Sequence, residues 1–270
     1  MTKQSMSLQN YPNKMEEINE DEKFFLDIHE KTKDFKVNQD LKNIPAIFKK
    51  INTKKIPLPK DFEVSNIPVE EAIVRRVSRR NFSGYIDARE AAKILYCANG
   101  FKSLEDTGKF GIVQLTTAPS AGARHPIEIY VILQRVNGIS DGVYHYDNES
   151  HMLEVIHEQK FSQLELKKIF VHSKELASAN MILIMTAIHR RTSWKYGHRS
   201  YRFVHLDAGH IGQNVYLACE AMGLGACAVG GWHDAFIERL LRIDGMRELI
   251  VYIMTVGKIA EGDFQRFQRQ

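Results

Sequence analysis

The sequence predicts an α+β fold in which helices surround a central, mainly antiparallel or mixed sheet. Residues 127–136 alternate apolar Ile, Val and Leu with other residues, which indicates a strand. Residues 181–188 form a short, continuous apolar run, which indicates a buried central strand. Residues 203–222 have the pattern of a long helix.

Residues 1–60 alternate Lys with Glu and Asp and close with Ile56-Pro57-Leu58-Pro59, which predicts an N-terminal arm or lead-in. The globular domain is predicted to follow over residues 61–270. Its first helix is indicated by apolar residues at helical spacing over 69–77. A second helix is predicted for 88–98 and ends at Gly100.

The remaining elements are shorter. A hairpin is predicted from strands over 143–146 and 152–156, separated by Asp147-Asn148-Glu149-Ser150. A helix is predicted for 161–169 and a final strand for 249–256.

Composition excludes several classes of function. The chain has 270 residues and a net charge of +4, with no concentrated basic face, so nucleic acid is not an expected partner. Its longest apolar run is too short to span a bilayer, which predicts a cytoplasmic protein without a membrane partner. The three cysteines have no C-x-x-C pairing, and no H-E-x-x-H motif is present, so no metal site is expected.

The residues most suggestive of catalysis are Lys195 and Tyr196, which begin a polar cluster before the long helix. An amine crowded by Arg191, His198 and Arg199 should lose its proton more easily if it is partly buried. The pair therefore predicts a general base. A solvated basic loop is the alternative interpretation.

Three further segments indicate a ligand site. Arg75 to Phe82 places four guanidinium groups and a serine where they could bind phosphate, although a solvated helix end would look the same. Ala118 to Pro126 is rich in small residues that would let a planar ring approach the backbone, or would form a tight turn. The doubled Gly230-Gly231 also suits close approach to a ring, and its context argues against a Rossmann nucleotide site.

Together these segments resemble the nitroreductase-like flavoproteins, and more specifically the SagB-type dehydrogenases. The superfamily pattern is R-x-S-x-R at 76–80, Pro119-Ser120-Ala121-Gly122 and a late Gly-Leu-Gly. The SagB-type pattern extends the second motif to Glu128 and adds Gly142-Val143-Tyr144-His145-Tyr146, Lys195-Tyr196-Gly197-x-Arg199 and 207–214.

The resemblance implies an FMN-dependent homodimer with both flavin sites at the subunit interface. It assigns Arg76, Ser78 and Arg80 to the FMN phosphate or ribityl chain, and Lys258 to the phosphate. It assigns the ring of FMN to two small-residue segments, and catalysis to the Lys-Tyr pair. These residues are Pro119, Ser120, Ala121, Gly122, Gly230 and Gly231 for the ring, and Lys195 and Tyr196 for catalysis.

The reaction that the resemblance implies is oxidation of thiazoline or oxazoline rings in a peptide to thiazoles or oxazoles. A heterocyclised peptide would be the substrate and a cyclodehydratase complex a possible partner. Two alternatives stay open at this point: a general NAD(P)H-dependent nitro or quinone reductase, and a non-catalytic scaffold subunit of a peptide-modifying complex.

Overall fold

A seven-stranded antiparallel sheet forms the centre of the computed structural model, which describes residues 19–37 and 43–261. The strands are β1 (Lys55–Pro57), β2 (Ile86–Asp87), β3 (Phe101–Asp106), β4 (Ile112–Thr116), β5 (Ile127–Leu133), β6 (Val136–Asn137), β7 (Gly142–Asp147), β8 (Met152–Glu158), β9 (Met181–Ala187), β10 (Gly225–Val229) and β11 (Leu249–Gly257). The order in the main sheet is β1-β8-β7-β5-β9-β11-β10, and each neighbouring pair is antiparallel. β3 and β4 form a separate hairpin, and β2 pairs with β6.

Helices cover the sheet. They are α1 (Glu20–Lys31), α2 (Val69–Arg75), α3 (Ala88–Asn99), α4 (Gln163–Leu166), α5 (Arg190–Tyr196), α6 (Ser200–Ala221) and α7 (Asp234–Leu241). Short 3₁₀ turns occupy Gly108–Phe110, Ala121–Ala123, Lys167–Ile169, Lys174–Ser178 and Gly197–Arg199. Among the described residues, no helix is both long and apolar enough to cross a bilayer.

Two apolar cores lie on the two faces of the sheet. β5 shows the arrangement, because Ile129 and Val131 join one core whereas Tyr130 and Ile132 join the other. α3 and α6 cover the first face, and α7 with the turns after β8 covers the second. Every residue of β5 and β9 is buried, which explains their nearly continuous apolar sequences.

The predicted α+β class is confirmed, and the main sheet is antiparallel throughout. The predicted strands over 127–136, 143–146, 152–156, 181–188 and 249–256 all form, with ends shifted by at most a few residues. The predicted helix over 161–169 is wrong in its extent, because only Gln163–Leu166 is α-helical and a 3₁₀ turn follows. The helix predicted over 69–77 ends at Arg75.

Strands β1, β2, β3, β4 and β10 were not predicted, and β6 was not distinguished from β5. The β3–β4 hairpin has a mostly exposed first strand without apolar alternation, and β10 is a short run of mostly small residues. Within the predicted lead-in, Glu20–Lys31 is helical and β1 pairs with β8. The domain boundary at residue 60 stays a prediction, and residues 1–18 of the arm lie outside the described residues.

Candidate active site

The loop of small residues at 119–122 connects β4 to β5 and is strained. Gly122 has φ +59° and ψ 27°, in the left-handed region that glycine tolerates. Ala123 and His125 also have positive φ, at 52° and 42°. Positive φ is uncommon for residues with a Cβ, and such strain tends to occur at functional sites.

Asp207 of α6 holds this loop in place. Its carboxylate accepts hydrogen bonds from the Ser120 hydroxyl at 2.6 Å and from the Ala121 amide at 3.2 Å. The Ser120 Oγ also accepts the amide of His125 at 2.9 Å. Burial raises the pKa of Asp207, whereas the two hydrogen bonds from the loop lower it.

Lys195 and Tyr196 meet the loop at Gly122. A Cβ at residue 122 would collide with the Tyr196 hydroxyl oxygen and would lie 3.2 Å from Lys195 Nζ. Both side chains are on the last turn of α5, which follows the central strand β9 and ends at Gly197 with φ +53°. Two segments separated by more than seventy residues in the sequence therefore converge on one glycine.

The environment of the pair shifts the pKa of the amine and the pKa of the phenol in opposite directions. Lys195 is 7% exposed, and its burial lowers its pKa, with a further decrease from the nearby Arg124 guanidinium. Burial raises the pKa of Tyr196, and Asp207 adds to this effect, whereas Arg124 opposes it. Burial thus favours the uncharged forms of both the amine and the phenol.

The like charge that acts on Lys195 differs from the predicted ones. Arg191 forms an ion pair with Glu128 at 2.6 Å and donates a hydrogen bond to the carbonyl of Ala46 at 2.9 Å. Arg199 donates to the carbonyl of Thr32 instead. Arg191 therefore anchors the start of α5, and the charge beside the amine comes from Arg124.

Aromatic rings enclose the pair. The Lys195 ammonium lies 3.9 Å from the ring centroid of Phe110, at the tip of the β3–β4 hairpin. Tyr196 stacks on Phe35 with 5.8 Å between centroids and meets Phe203 edge-on at 5.2 Å. Phe35 belongs to the lead-in, which Arg202 attaches to α6 through the Thr32 hydroxyl at 2.8 Å. With these rings around them, Lys195 is 7% exposed and Tyr196 is 8% exposed.

A second group of predicted residues lies around Ser78. The Ser78 hydroxyl is 2.8 Å from the Tyr216 hydroxyl, which also accepts the amide of Ala228 at 2.8 Å. The guanidinium of Arg76 lies 5.1 Å from the Tyr216 ring centroid. Tyr216 of α6 therefore positions the R-x-S-x-R segment beside β10.

Lys258 joins this second group through backbone pairing. The amide of Ser83 donates to the carbonyl of Lys258 at 2.9 Å, and Ala260 donates to Asn81 at 3.1 Å. The chain just after Arg80 therefore runs against the end of β11. Over residues 19–37 and 43–261, none of the cations Arg76, Arg80 and Lys258 forms an ion pair with a carboxylate, so their charge is available to an anion.

Gly230 and Gly231 follow β10 directly, and β10 contains Ala228, whose amide contacts Tyr216 in the group around Ser78. Gly231 accepts the amide of Val171 at 3.2 Å, and nothing lies within 4 Å of a Cβ placed on Gly230. Within the described part of the chain, no contact joins either glycine to Lys195 or Tyr196. Their predicted approach to a ring stays a prediction.

α6 connects the two groups. Asp207 contacts the 119–122 loop, and Tyr216 contacts Ser78 nine residues later. With a rise of 1.5 Å per residue, the two ends of the site are about 14 Å apart along the helix. None of the ten predicted cofactor residues is fully buried, so they remain accessible to a ligand.

Four residues with clear structural roles were not predicted as site residues: Phe110, Arg124, Asp207 and Tyr216. Arg124 and Asp207 lie inside the motifs quoted above, and that position was the available signal. Phe110 and Tyr216 gave no signal, because one is in an unpredicted hairpin and the other is one apolar residue of a long helix.

Comparison with known proteins places this geometry in a family. The profile described as "Nitroreductase family" matches residues 73–258. MJ1384 of Methanocaldococcus jannaschii, named as a nitroreductase, is 36% identical over 217 residues, which cover 78% of this chain and 99% of MJ1384.

Two other relatives are named for peptide processing. The trifolitoxin-processing protein TfxB of Rhizobium leguminosarum bv. trifolii is 34% identical over 147 residues, covering 52% of this chain and 39% of TfxB. The microcin B17-processing protein McbC of Escherichia coli is 23% identical over 230 residues, covering 78% of this chain and 84% of McbC.

Solved structures agree in fold. A protein of Anabaena variabilis ATCC 29413 named as a nitroreductase superposes with a TM-score of 0.68 at 24% identity, covering 86% of this chain and 45% of that one. The E. coli microcin synthetase McbBCD complex with truncated pro-MccB17 includes a chain with a TM-score of 0.58 at 22% identity, covering 78% of this chain and 80% of that one. From the profile match and the 36% identity to MJ1384, we conclude that this chain belongs to the nitroreductase family.

Proposed function

We propose that the protein is an FMN-dependent dehydrogenase that oxidises thiazoline or oxazoline rings in a peptide to thiazoles or oxazoles. The observation that carries the proposal is the convergence of Lys195 and Tyr196 on Gly122. This arrangement places a buried amine with a lowered pKa at the loop assigned to the flavin ring.

The residues present fit FMN at both ends. Arg76 and Arg80 are accessible cations on either side of Ser78 in the sequence, and Lys258 is an accessible cation whose backbone pairs with Ser83, which suits the phosphate. At the other end, Gly122 has no side chain, which lets Tyr196 and Lys195 reach the loop, and the small residues at 119–121 suit the close approach of a flat ring. When bound, FMN supplies the acceptor for a hydride.

The peptide substrate is inferred from relatives. TfxB and McbC are processing proteins for trifolitoxin and microcin B17, and the McbBCD complex was solved with truncated pro-MccB17. These similarities support a peptide substrate and a complex with partner enzymes such as a cyclodehydratase. The SagB-type motifs in this chain support the azoline ring as the reacting group.

The chain's own residues would handle the proton. Ring oxidation removes a proton and a hydride from adjacent ring carbons, so a base must face the substrate. Lys195 suits this role, because burial and the Arg124 charge favour its neutral amine. Tyr196, whose pKa is raised, stays protonated and can orient the substrate through its hydroxyl. Phe110 packs against the amine and Phe35 against the phenol.

The test is oxidation of a synthetic azoline-containing peptide by the purified, FMN-loaded protein. Mass spectrometry should show the loss of two hydrogen atoms per ring, together with bleaching of the flavin under anaerobic conditions. Lys195→Ala should bind FMN and leave the ring unoxidised. Lys102→Ala, which removes an exposed lysine from β3, is the matched control and should retain full turnover. Wild-type turnover in Lys195→Ala would remove the assigned base.

A second candidate is a general NAD(P)H-dependent nitro or quinone reductase, which the family assignment and MJ1384 favour. The two functions differ in the electron donor. Anaerobic NADPH should leave the flavin oxidised if the azoline ring is the donor, and should bleach it rapidly if the protein is a general reductase. A scaffold without catalytic function predicts a purified protein with no flavin absorbance.

The proposal includes a homodimer. Apolar side chains are exposed on α2 and α6, where Val74 is 84% exposed, Tyr201 52% and Leu206 58%. Exposed apolar groups of this kind often mark an interface. Light scattering coupled to size-exclusion chromatography should give twice the mass of one chain, and a monomer that binds FMN fully would contradict the shared site.

A further inference from the structure

Arg124 is a buried cation with no carboxylate partner among the described residues. It is 5% exposed, and its Nε donates to the carbonyl of Gly122 at 2.8 Å. Its Nη1 donates to the carbonyl of Phe110 at 3.4 Å, and its guanidinium lies 5.7 Å from the Trp194 ring centroid. The two carbonyl oxygens accept hydrogen bonds from the guanidinium and the ring packs against it, but none of them neutralises its charge.

Burial of an unpaired charge is costly, and buried charges are usually paired. Lys195 shares the location, with its Nζ near Gly122 and without a carboxylate partner in the described part of the chain. Of the two cations, the lysine can lose its proton, whereas a guanidinium stays charged in proteins. One fixed positive charge therefore remains at Gly122 and lacks a described counter-anion.

We propose that Arg124 stabilises the negative charge that FMN gains on reduction, and so sets the reduction potential of the bound flavin. The inference rests on the proposed function for the position of FMN at the 119–122 loop. In that reaction the electron pair of one ring C–H bond leaves with the hydride, which carries one negative charge to FMN. The pair of the adjacent C–H bond becomes the ring double bond, and its proton goes to Lys195.

This role explains why an arginine is present rather than a neutral residue of similar size. Its guanidinium donates hydrogen bonds to the carbonyls of Gly122 and Phe110. The position of its charge is therefore fixed before the reaction. The same charge favours the neutral form of Lys195. Arg124 is thus an electrostatic residue for both the electron acceptor and the base.

The test measures the reduction potential of bound FMN and its affinity for sulfite, which adds to flavins more tightly when positive charge is nearby. Arg124→Gln should lower the equilibrium constant for reduction of bound FMN about tenfold, which lowers the reduction potential by about 30 mV for a two-electron couple. It should weaken sulfite binding in parallel. Arg124→Lys should stay near the wild type because it retains the charge. Arg190→Gln, an exposed arginine on α5, is the matched control and should change neither value.

Trp194→Glu should neutralise the charge of Arg124 without removing the residue, because a carboxylate at 194 could pair with the guanidinium. It should also lower the potential, and it keeps the test decisive if Arg124→Gln does not fold. A wild-type potential in Arg124→Gln, or in Trp194→Glu if the first variant is unfolded, would overturn the inference. Neither readout uses a peptide, so an FMN-loaded protein that oxidises no azoline would refute the proposed function and leave this test intact.

Discussion

The carboxylate of Asp207 accepts the Ser120 hydroxyl at 2.6 Å, which ties the middle of α6 to the strained loop beside Lys195 and Tyr196. The same carboxylate accepts the amide of Ala121. A helix that is packed on the main sheet therefore helps to hold this loop, together with the hydrogen bond from Arg124 to the carbonyl of Gly122.

Replacing Asp207 by Asn should loosen this loop. The amide has one acceptor oxygen, so one of the two hydrogen bonds is lost, at a cost of about 1–2 kcal/mol in the free energy of unfolding. FMN affinity should fall with it. Glu220→Gln, a carboxylate change on the same helix, is the control for urea denaturation and flavin titration. Equal affinity in the two variants would show that Asp207 does not shape the loop.

Gly122→Ala should abolish the site. The added methyl group meets the Tyr196 hydroxyl, and the backbone has positive φ, so both the loop and the phenol must move. We expect FMN affinity to fall by at least about tenfold, which corresponds to 1.4 kcal/mol. Gly138→Ala imposes similar backbone strain at φ +90° away from the site and should leave FMN binding unchanged. Flavin fluorescence titration measures both.

Tyr216→Phe should weaken the phosphate end alone. The variant leaves Ser78 and the Ala228 amide without their shared hydroxyl partner, which should cost about 1 kcal/mol. FMN should bind several-fold more weakly, whereas the affinity for riboflavin, which has no phosphate, should change little. Tyr96→Phe, on α3, is the control. Equal losses for both flavins would contradict this division of the site.

The rate of ring oxidation should rise with pH as Lys195 loses its proton. Burial and Arg124 lower its pKa from the ordinary value of 10.5, so the rise should have an apparent pKa below 10.5. Lys195→Arg should be inactive at every pH, because a guanidinium keeps its proton. Initial rates at saturating peptide provide the profile, and an unchanged rise in Lys195→Arg would assign it to another group.

His125 should make stability depend on pH between about 6.5 and 4. Burial lowers its pKa from 6.5 to about 4, with smaller effects of Arg124 and Arg191. In this window the unfolded chain binds a proton that the folded one does not, so the free energy of unfolding falls as pH falls, by up to about 3 kcal/mol. His125→Asn should lose less stability than the wild type between pH 7 and 4 in urea titrations. An identical slope would contradict the prediction.

Much of the fold was predictable because its buried elements leave strong patterns. β5 and β9 are mostly apolar, and α6 is long, so the fold class and the core could be predicted from hydrophobic periodicity. The β3–β4 hairpin was not predictable, since its first strand is mostly exposed and its second strand contacts a distant segment, as Gln114 does at the carbonyl of Ile47.

The residues of the candidate site could be predicted from the sequence, but the contacts between them could not. The sequence identified Lys195, Tyr196 and the small-residue loop, and motif order indicated that they belong together. It could not show that the charge beside the amine comes from Arg124 and not from Arg191, because that depends on which guanidinium finds a carboxylate in three dimensions. The sequence around an arginine does not predict which carboxylate it will pair with.

Since Asp207 and Tyr216 are carried by one uninterrupted helix, the span of the site is fixed by a rigid rod. Removing one residue between them would shorten that rod by about 1.5 Å and turn one end relative to the other by about 100°. Asp207 and Tyr216 could then no longer face their loops together. Under the proposed function, this helix would therefore fix the distance between the part of the site that holds the ring and the part that holds the anionic end of the coenzyme.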